Sequence, residues 1–219
     1  NLKCGIIVFS GLPNRPRNED FGSNLASEGF YVLQPRYIGS WESYGNFSID
    51  NCIKTVSEAI NFFKKGQANE CWAGKLVSWD IKEIVLLSSS FGSAIVLSKF
   101  HELSVKNAIC LCPLTNLKKH NSDKKIKEQN LEELGNFIKK GYENAFRNFN
   151  LIEWKNFIKG DSKANPSAHI LKLKNKKILL IHGILSKSFD IFSHQRLLNP
   201  SNVYLLHQHQ YCGYITWLV

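Results

Sequence analysis

The residues best suited to chemistry form a serine-rich turn, Ser88-Ser-Ser-Phe-Gly92, which directly follows an apolar run. A buried strand that ends in small-x-Ser-x-Gly and continues into a helix presents the central serine on a tight, strained turn. That turn has room only for small residues two positions before and after the nucleophile, and Ser88 and Gly92 meet this condition. Ser90 is therefore the candidate nucleophile, but an ordinary strand-to-helix turn can carry the same pattern.

The elements that must position this turn alternate between strand and helix. Ser48 as an N-cap and apolar residues at steps of three and four from Ile49 to Phe63 predict a helix that stops before Gly66. Such alternation predicts an α/β fold, a mostly parallel central sheet with helices on both faces. Apolar runs predict the strands at 4–10, 30–33, 84–87, 108–112, 177–181 and 203–206.

Residues 117–170 interrupt the alternation with helical segments and no clear strand. We expect helices over 131–140, 142–149 and 151–158, covering the carboxyl edge of the sheet, where such folds bind ligands. The connection at 67–82 is expected to pack Trp72 and Trp79 against the domain. The 219 residues then form one domain, 1–219, in which 117–170 is a helical lid insertion.

Composition argues against several classes of protein. No apolar run approaches the roughly 18 residues that span a bilayer, so no membrane insertion is expected. Six cysteines without a Cys-x-x-Cys pair indicate neither a zinc site nor a secreted disulfide scaffold, and favour a cytoplasmic setting. The net charge of +10 comes from dispersed lysines without a nucleic-acid-binding motif, so a solvated surface is expected and nucleic-acid binding is not. The absence of methionine and the initial Asn1 suggest a trimmed chain or omitted methionines.

Four stretches match, in order, the motifs of one family. They are Gly5 to Pro13, similar to a strand and oxyanion-hole loop; Val32 to Ser43, similar to a strand and Arg-Gly-x-Gly-x-Ser turn; Ser88 to Gly92; and 165–183, similar to the segment before the acid-bearing loop. Together they resemble the α/β-hydrolase superfamily, closest to its serine esterase and prolyl-oligopeptidase-like branch. The resemblance covers nearly the whole chain. It implies a serine hydrolase that cleaves an ester, thioester or peptide-like bond through an acyl-enzyme intermediate.

The resemblance also implies a catalytic triad in the chain order serine, acid, histidine. Ser90 takes the first place. Asp190 is the only carboxylate in the loop expected to bear the acid, and the alternative is that the acid is absent. His209 lies nearest to the expected position of the base, and His207 is the alternative base.

The oxyanion hole implied by the resemblance consists of backbone N–H groups. One comes from Phe91, and the other from the loop after the first strand, at Leu12 or Gly11. We expect a small-molecule acyl substrate, no cofactor and no metal. The sequence leaves open whether the protein is a homo-oligomer.

Three departures from the family pattern support a second interpretation. Ser186 stands where the family has its aspartate, Tyr211 stands where the closest pattern has its histidine, and Ser88 replaces the usual first glycine. The alternative is therefore a catalytically degenerate protein of the same fold that acts as a binding or interaction module.

Overall fold

The computed structural model describes residues 3–13, 21–122, 130–183 and 203–208. Its strands are β1 (Cys4–Phe9), β2 (Tyr31–Leu33), β3 (Gln67–Asn69), β4 (Leu76–Ser78), β5 (Glu83–Ser89), β6 (Asn107–Leu111), β7 (Lys177–Gly183) and β8 (Val203–Gln208). Its helices are α1 (Phe21–Ser27), α2 (Ile49–Lys65), α3 (Phe91–Phe100), α4 (Leu117–Ser122), α5 (Leu131–Gly141) and α6 (Leu151–Lys159). Two 3-10 helices, Pro166–Ala168 and Ile170–Leu173, precede β7.

Six strands form the central sheet in the order β2-β1-β5-β6-β7-β8, and every neighbouring pair is parallel. This confirms the predicted fold class. Because β1 and β5 are inner strands, most of their side chains are buried, which explains their continuous apolar runs. All six strands end at one edge of the sheet, and β5 brings Ser90 to that carboxyl edge.

The long helix α2 follows the sequence prediction closely. The Ser48 side chain accepts a hydrogen bond from the Asn51 amide, and Gly66 ends the helix in the left-handed conformation with φ of 74°. The apolar stripe from Ile49 to Phe63 is largely buried, and α2 packs mainly on α3, with further contacts to β1 and α6. Among the described residues, no helix is long and apolar enough to cross a membrane.

The segment 142–149 differs from its prediction, because it forms turns and one antiparallel bridge between Ser40 and Phe146 where a helix was expected. Its backbone pairs with the loop after β2: the Trp41 amide donates to the Ala145 carbonyl at 2.7 Å, and the Arg147 amide donates to the Gly39 carbonyl at 2.9 Å. These long-range hydrogen bonds use backbone amide and carbonyl groups that would bond to each other within a helix.

The segment 67–82 also differs from its prediction. It contains an antiparallel hairpin of β3 and β4, which we call the hairpin arm (residues 67–78). Trp79 packs as expected, since its indole N–H donates to the Phe63 carbonyl at 2.6 Å. Trp72 does not pack against the domain: its side chain is 93% exposed.

Candidate active site

Ser90 occupies the junction between β5 and α3 in a backbone conformation that few residues adopt. Its φ is 47° and its ψ is −117°, and its amide donates to the Leu111 carbonyl at 3.0 Å. A non-glycine residue held there costs on the order of 1–3 kcal/mol. A positive φ does not by itself indicate a nucleophile, because Lys3, Trp41 and Asn148 also have one. Ser90 is distinguished by its place at a strand-to-helix turn on the carboxyl edge of the sheet.

Gly92 explains why the turn needs a small residue on its helical side. A Cβ atom at this position would lie 2.3 Å from the Phe9 carbonyl oxygen and 2.8 Å from that of Ser10. Both contacts are with backbone, so they cannot be relieved by a side-chain rotation. Gly92 therefore lets α3 start directly against the end of β1.

Ser88 occupies the position of the usual first glycine without leaving its hydroxyl unpaired. The residue is buried, and the Ser93 hydroxyl donates to the Ser88 oxygen at 3.1 Å. The Ser88 hydroxyl lies 3.4 Å from both the Ile109 carbonyl and the Cys110 sulfur. Burial raises the pKa of the Cys110 thiol to about 11, so the thiol is neutral near pH 7. Serine at position 88 is thus compatible with a well-packed turn.

Two hydrogen bonds hold the loop after β1 beside Ser90. The buried Tyr37 hydroxyl donates to the Ser10 carbonyl at 3.0 Å, and the Gly11 amide donates to the Ser89 hydroxyl at 3.1 Å. Burial holds the pKa of Tyr37 well above its usual value, so it remains a neutral donor. The Gly11 N–H is thus engaged with Ser89, and Leu12 stays the predicted oxyanion donor of this loop.

The loop also passes close to the serine itself. A Cβ atom on Gly11 would lie 3.1 Å from the Ser90 Cβ and 3.7 Å from its hydroxyl oxygen. A larger residue at position 11 would therefore crowd the hydroxyl. The spacing keeps the serine accessible while holding the loop next to it.

Phe91 is locked by an aromatic cluster on the helical side of the turn. Its ring is buried and lies 5.7 Å from Tyr37 in an edge-to-face contact. It also lies 5.3 Å from Phe157 and 6.0 Å from Trp154, both on α6. As the first residue of α3, Phe91 has an N–H without an acceptor inside its own helix. The packed ring fixes the peptide that carries this donor.

The segment between α5 and α6 is joined to the loop after β2 by the side chain of Arg147. Its guanidinium donates to the Trp41 carbonyl at 2.8 Å and to the Gly45 carbonyl at 3.1 Å. Phe146 packs edge-to-face on Trp41 and Phe47 at 5.8 and 5.1 Å between ring centroids. Most aromatic side chains of 117–170 are thus used in packing. Phe137 is 54% exposed, although its ring still contacts Tyr142 edge-to-face at 5.4 Å.

The candidate acid and base fall in a different part of the chain. Asp190 and His209 lie outside the described residues. The backbone of His207 lies in β8, in register with His182 of β7. His182 is buried at the end of its strand, which agrees with a packed or hydrogen-bonded residue. The described residues place Gly11 beside Ser90, and the oxyanion donors, the acid and the base stay predictions.

A pair of histidines elsewhere has a different environment. The rings of His101 and His169 stack with centroids 4.7 Å apart, and His101 Nε2 lies 3.2 Å from a Glu102 carboxylate oxygen. Burial, together with His169, lowers the pKa of His101. His101 follows the last residue of the ten-residue helix α3, about 15 Å from its start, so it is remote from Ser90. Within the described ranges, no cluster of three or more His, Cys, Asp or Glu residues is placed to hold a metal ion.

Sequence reasoning missed Tyr37, Ser89 and Arg147. Tyr37 lies 27 residues from its partner Ser10, and Ser89 lies 78 residues from Gly11. No local pattern reveals such pairs. The only available signal for Ser89 was its position beside the candidate nucleophile.

Comparison with known proteins finds similar solved structures. No protein-family model matches the sequence, and neither does any curated protein. An esterase of Pyrococcus furiosus is similar in structure, with a TM-score of 0.64 at 16% identity over 95% of this chain and 74% of that one. Est1E of Butyrivibrio proteoclasticus, solved with ferulic acid bound, has a TM-score of 0.61 at 12% identity, over 93% of this chain and 78% of that one. An N-formylmaleamic acid deformylase of Pseudomonas putida has a TM-score of 0.60 at 11% identity, over 92% and 83%. The chain therefore has the α/β-hydrolase fold.

Proposed function

We propose that the protein is a serine hydrolase that cleaves an ester, thioester or peptide-like bond through an acyl-enzyme intermediate. The observation that carries the proposal is the backbone of Ser90, with φ of 47° at the end of an inner strand. Strain of this kind persists only where the surrounding structure enforces it. Gly92, Gly11 and the Phe91 cluster provide that enforcement here. The structural similarity to esterases and to a deformylase supports the same reaction class.

In the proposed reaction, the Ser90 hydroxyl attacks the acyl carbon while a histidine removes its proton. The Phe91 and Leu12 amides stabilise the negative oxygen of the tetrahedral intermediate. The alcohol, thiol or amine leaves with that proton, and a water molecule then releases the acyl group. Asp190 orients His209, and His207 is the alternative base.

The sheet geometry favours a base beyond the end of β8. Three strand spacings separate β8 from β5, about 14 Å at roughly 4.8 Å per strand. An imidazole on the strand itself would have to bridge most of that distance before making a hydrogen bond of about 3 Å. His207 lies on β8 itself, so this distance argues against it, and His209 is the proposed base.

The wider proposal keeps the remaining expectations from the sequence. The chain is one domain, 1–219, and 117–170 serves as a lid over the carboxyl edge. The substrate is a small acyl compound, and the protein works in the cytoplasm without nucleic acid.

The test compares the wild type with Ser90→Ala, using a fluorophosphonate probe and short-chain p-nitrophenyl esters. Ser98→Ala is the matched control, because Ser98 lies on the same helix and its hydroxyl only donates to the Ala94 carbonyl at 2.7 Å. We expect ester turnover to fall at least about a thousandfold in Ser90→Ala and to be retained in Ser98→Ala. Absence of Ser90-dependent labelling and turnover would favour the catalytically degenerate alternative.

A further inference from the structure

We propose that the hairpin arm docks the protein on the surface of an anionic lipid bilayer. Trp72 would enter the interface, and the lysines around the arm would contact lipid phosphates. This inference is independent of the proposed hydrolase activity. For this part of the chain it replaces the expectation of a simply solvated lysine surface, and it needs no membrane-spanning segment.

The first argument is the concentration of exposed apolar side chains. Trp72 in the turn, Leu76 and Val77 are 93%, 66% and 48% exposed, and Phe62 on the adjacent turn of α2 is 43% exposed. Soluble proteins rarely leave such a cluster in water unless it contacts something. The base of the arm is fixed, because Trp79 packs on Phe62 and Phe63. The arm is thus an anchored projection with an apolar end.

The second argument is the shape of that surface. Leu76 and Val77 are neighbours in β4, so their side chains leave opposite faces of the hairpin, and both are exposed. A flat protein partner would cover one face only. A lipid headgroup layer surrounds whatever enters it, and tryptophan is enriched at that depth in membrane proteins.

The third argument is charge. Lys64, Lys65, Lys75 and Lys82 are exposed at the base and tip of the arm. Three carboxylates lie nearby, on Glu70, Asp80 and Glu83. Glu70 accepts hydrogen bonds from the Trp72 and Ala73 amides at 3.1 and 2.9 Å, and Asp80 pairs with Lys3. Asp80 and Lys3 offset each other, and Glu70 and Glu83 keep their negative charges, so the four lysines (+4) against these two carboxylates (−2) leave a net charge of +2, which complements anionic lipids.

The fourth argument is length. The hairpin has three paired positions, which extend about 10 Å at roughly 3.4 Å per residue. Interfacial elements bury their apolar parts about 5–10 Å into the headgroup boundary. With Trp72 at that depth, the lysines at the base of the arm reach the phosphate layer.

The test uses sedimentation with vesicles of phosphatidylcholine alone and of phosphatidylcholine mixed with phosphatidylglycerol. We expect binding to the mixed vesicles that weakens as salt rises, and little binding to phosphatidylcholine alone. Trp72→Ala should weaken binding by at least about tenfold. Lys75→Gln and Lys65→Gln should each weaken it by about fivefold.

Two matched controls lie away from the arm. Ile152 is 73% exposed on α6, and Lys159 is exposed at the end of the same helix. Ile152→Ala and Lys159→Gln should bind as the wild type does. Thermal unfolding of each variant confirms that it is folded.

Three results would overturn the inference: no binding to the mixed vesicles, equal loss in the control variants, or binding unaffected by Trp72→Ala. Light scattering after gel filtration covers the alternative of a second copy pairing through the open strand edges. A dimer that depends on Trp72, without vesicle binding, assigns the arm to self-association and also overturns the lipid inference.

Discussion

The carboxyl edge of the sheet and the hairpin arm at its opposite edge use aromatic side chains in contrasting ways. At the carboxyl edge, Phe91 is 1% exposed and is surrounded by other rings, whereas Trp72 in the arm is 93% exposed. The buried ring fixes a peptide next to the candidate nucleophile. The exposed ring makes little contact with the part of the chain that the structure describes. An enclosed aromatic residue in a turn can position its neighbours, whereas an exposed one is open to contact with another molecule, as proposed for Trp72.

The largest contrast should appear in folding stability. Phe91→Ala removes a fully buried ring from the cluster, so we expect it to lower the free energy of unfolding by about 3–5 kcal/mol. Trp72→Ala removes an exposed ring and should change it by less than about 0.5 kcal/mol. Urea denaturation of both variants measures the difference. Similar losses of unfolding free energy in the two variants would contradict the difference proposed between the two rings.

Two cysteines give a second, chemical contrast between the same regions. Cys71 is exposed in the arm, and Cys110 is buried beneath the serine turn with a pKa of about 11. Near pH 8, iodoacetamide should modify Cys71 at least about a hundredfold faster than Cys110, because Cys110 must both become exposed and lose its proton. Peptide mass spectrometry over time measures both rates. Comparable rates would show that the turn opens readily.

A smaller effect on catalysis is expected from removing either hydrogen bond that holds the loop after β1, which carries the proposed oxyanion donor. Tyr37→Phe and Ser89→Ala each remove one hydrogen bond to that loop, so we expect kcat on p-nitrophenyl esters to fall about tenfold, with KM changed less. Ser89→Thr keeps the hydroxyl and should restore part of the loss. Equal losses in kcat for the Thr and Ala variants would indicate that shape at position 89, and not the hydrogen bond, is responsible.

Structural elements that depend on local sequence patterns could be predicted from the sequence, and elements that depend on distant contacts could not. The tight turn at Ser90 could be predicted because its constraints act within five residues, and α2 because its cap and stripe are local. The segment 142–149 was predicted as a helix because its composition suits one. Its carbonyl and amide groups instead pair with the loop at 39–47. Trp72 was expected to pack, since sequence gives no sign that the hairpin projects from the domain.

The candidate site also contains residues that local patterns predict and residues whose positions depend on distant parts of the chain. The nucleophile and its oxyanion donors depend on one strand end and one neighbouring loop, and their proposed positions could be compared with the described geometry. The acid and base depend on how long loops return across three strands to Ser90. Residue type and spacing alone do not determine that path, and so Asp190 and His209 remain predictions.

We propose Ser90 as the nucleophile, and identifying the residue that a covalent probe labels tests this directly. The protein is incubated with a fluorophosphonate and digested, and the modified peptide is sequenced by mass spectrometry. We expect one adduct, on Ser90, that is lost when the protein is unfolded before labelling. An unlabelled protein, or an adduct on Ser88, Ser89 or another residue in place of Ser90, would contradict it.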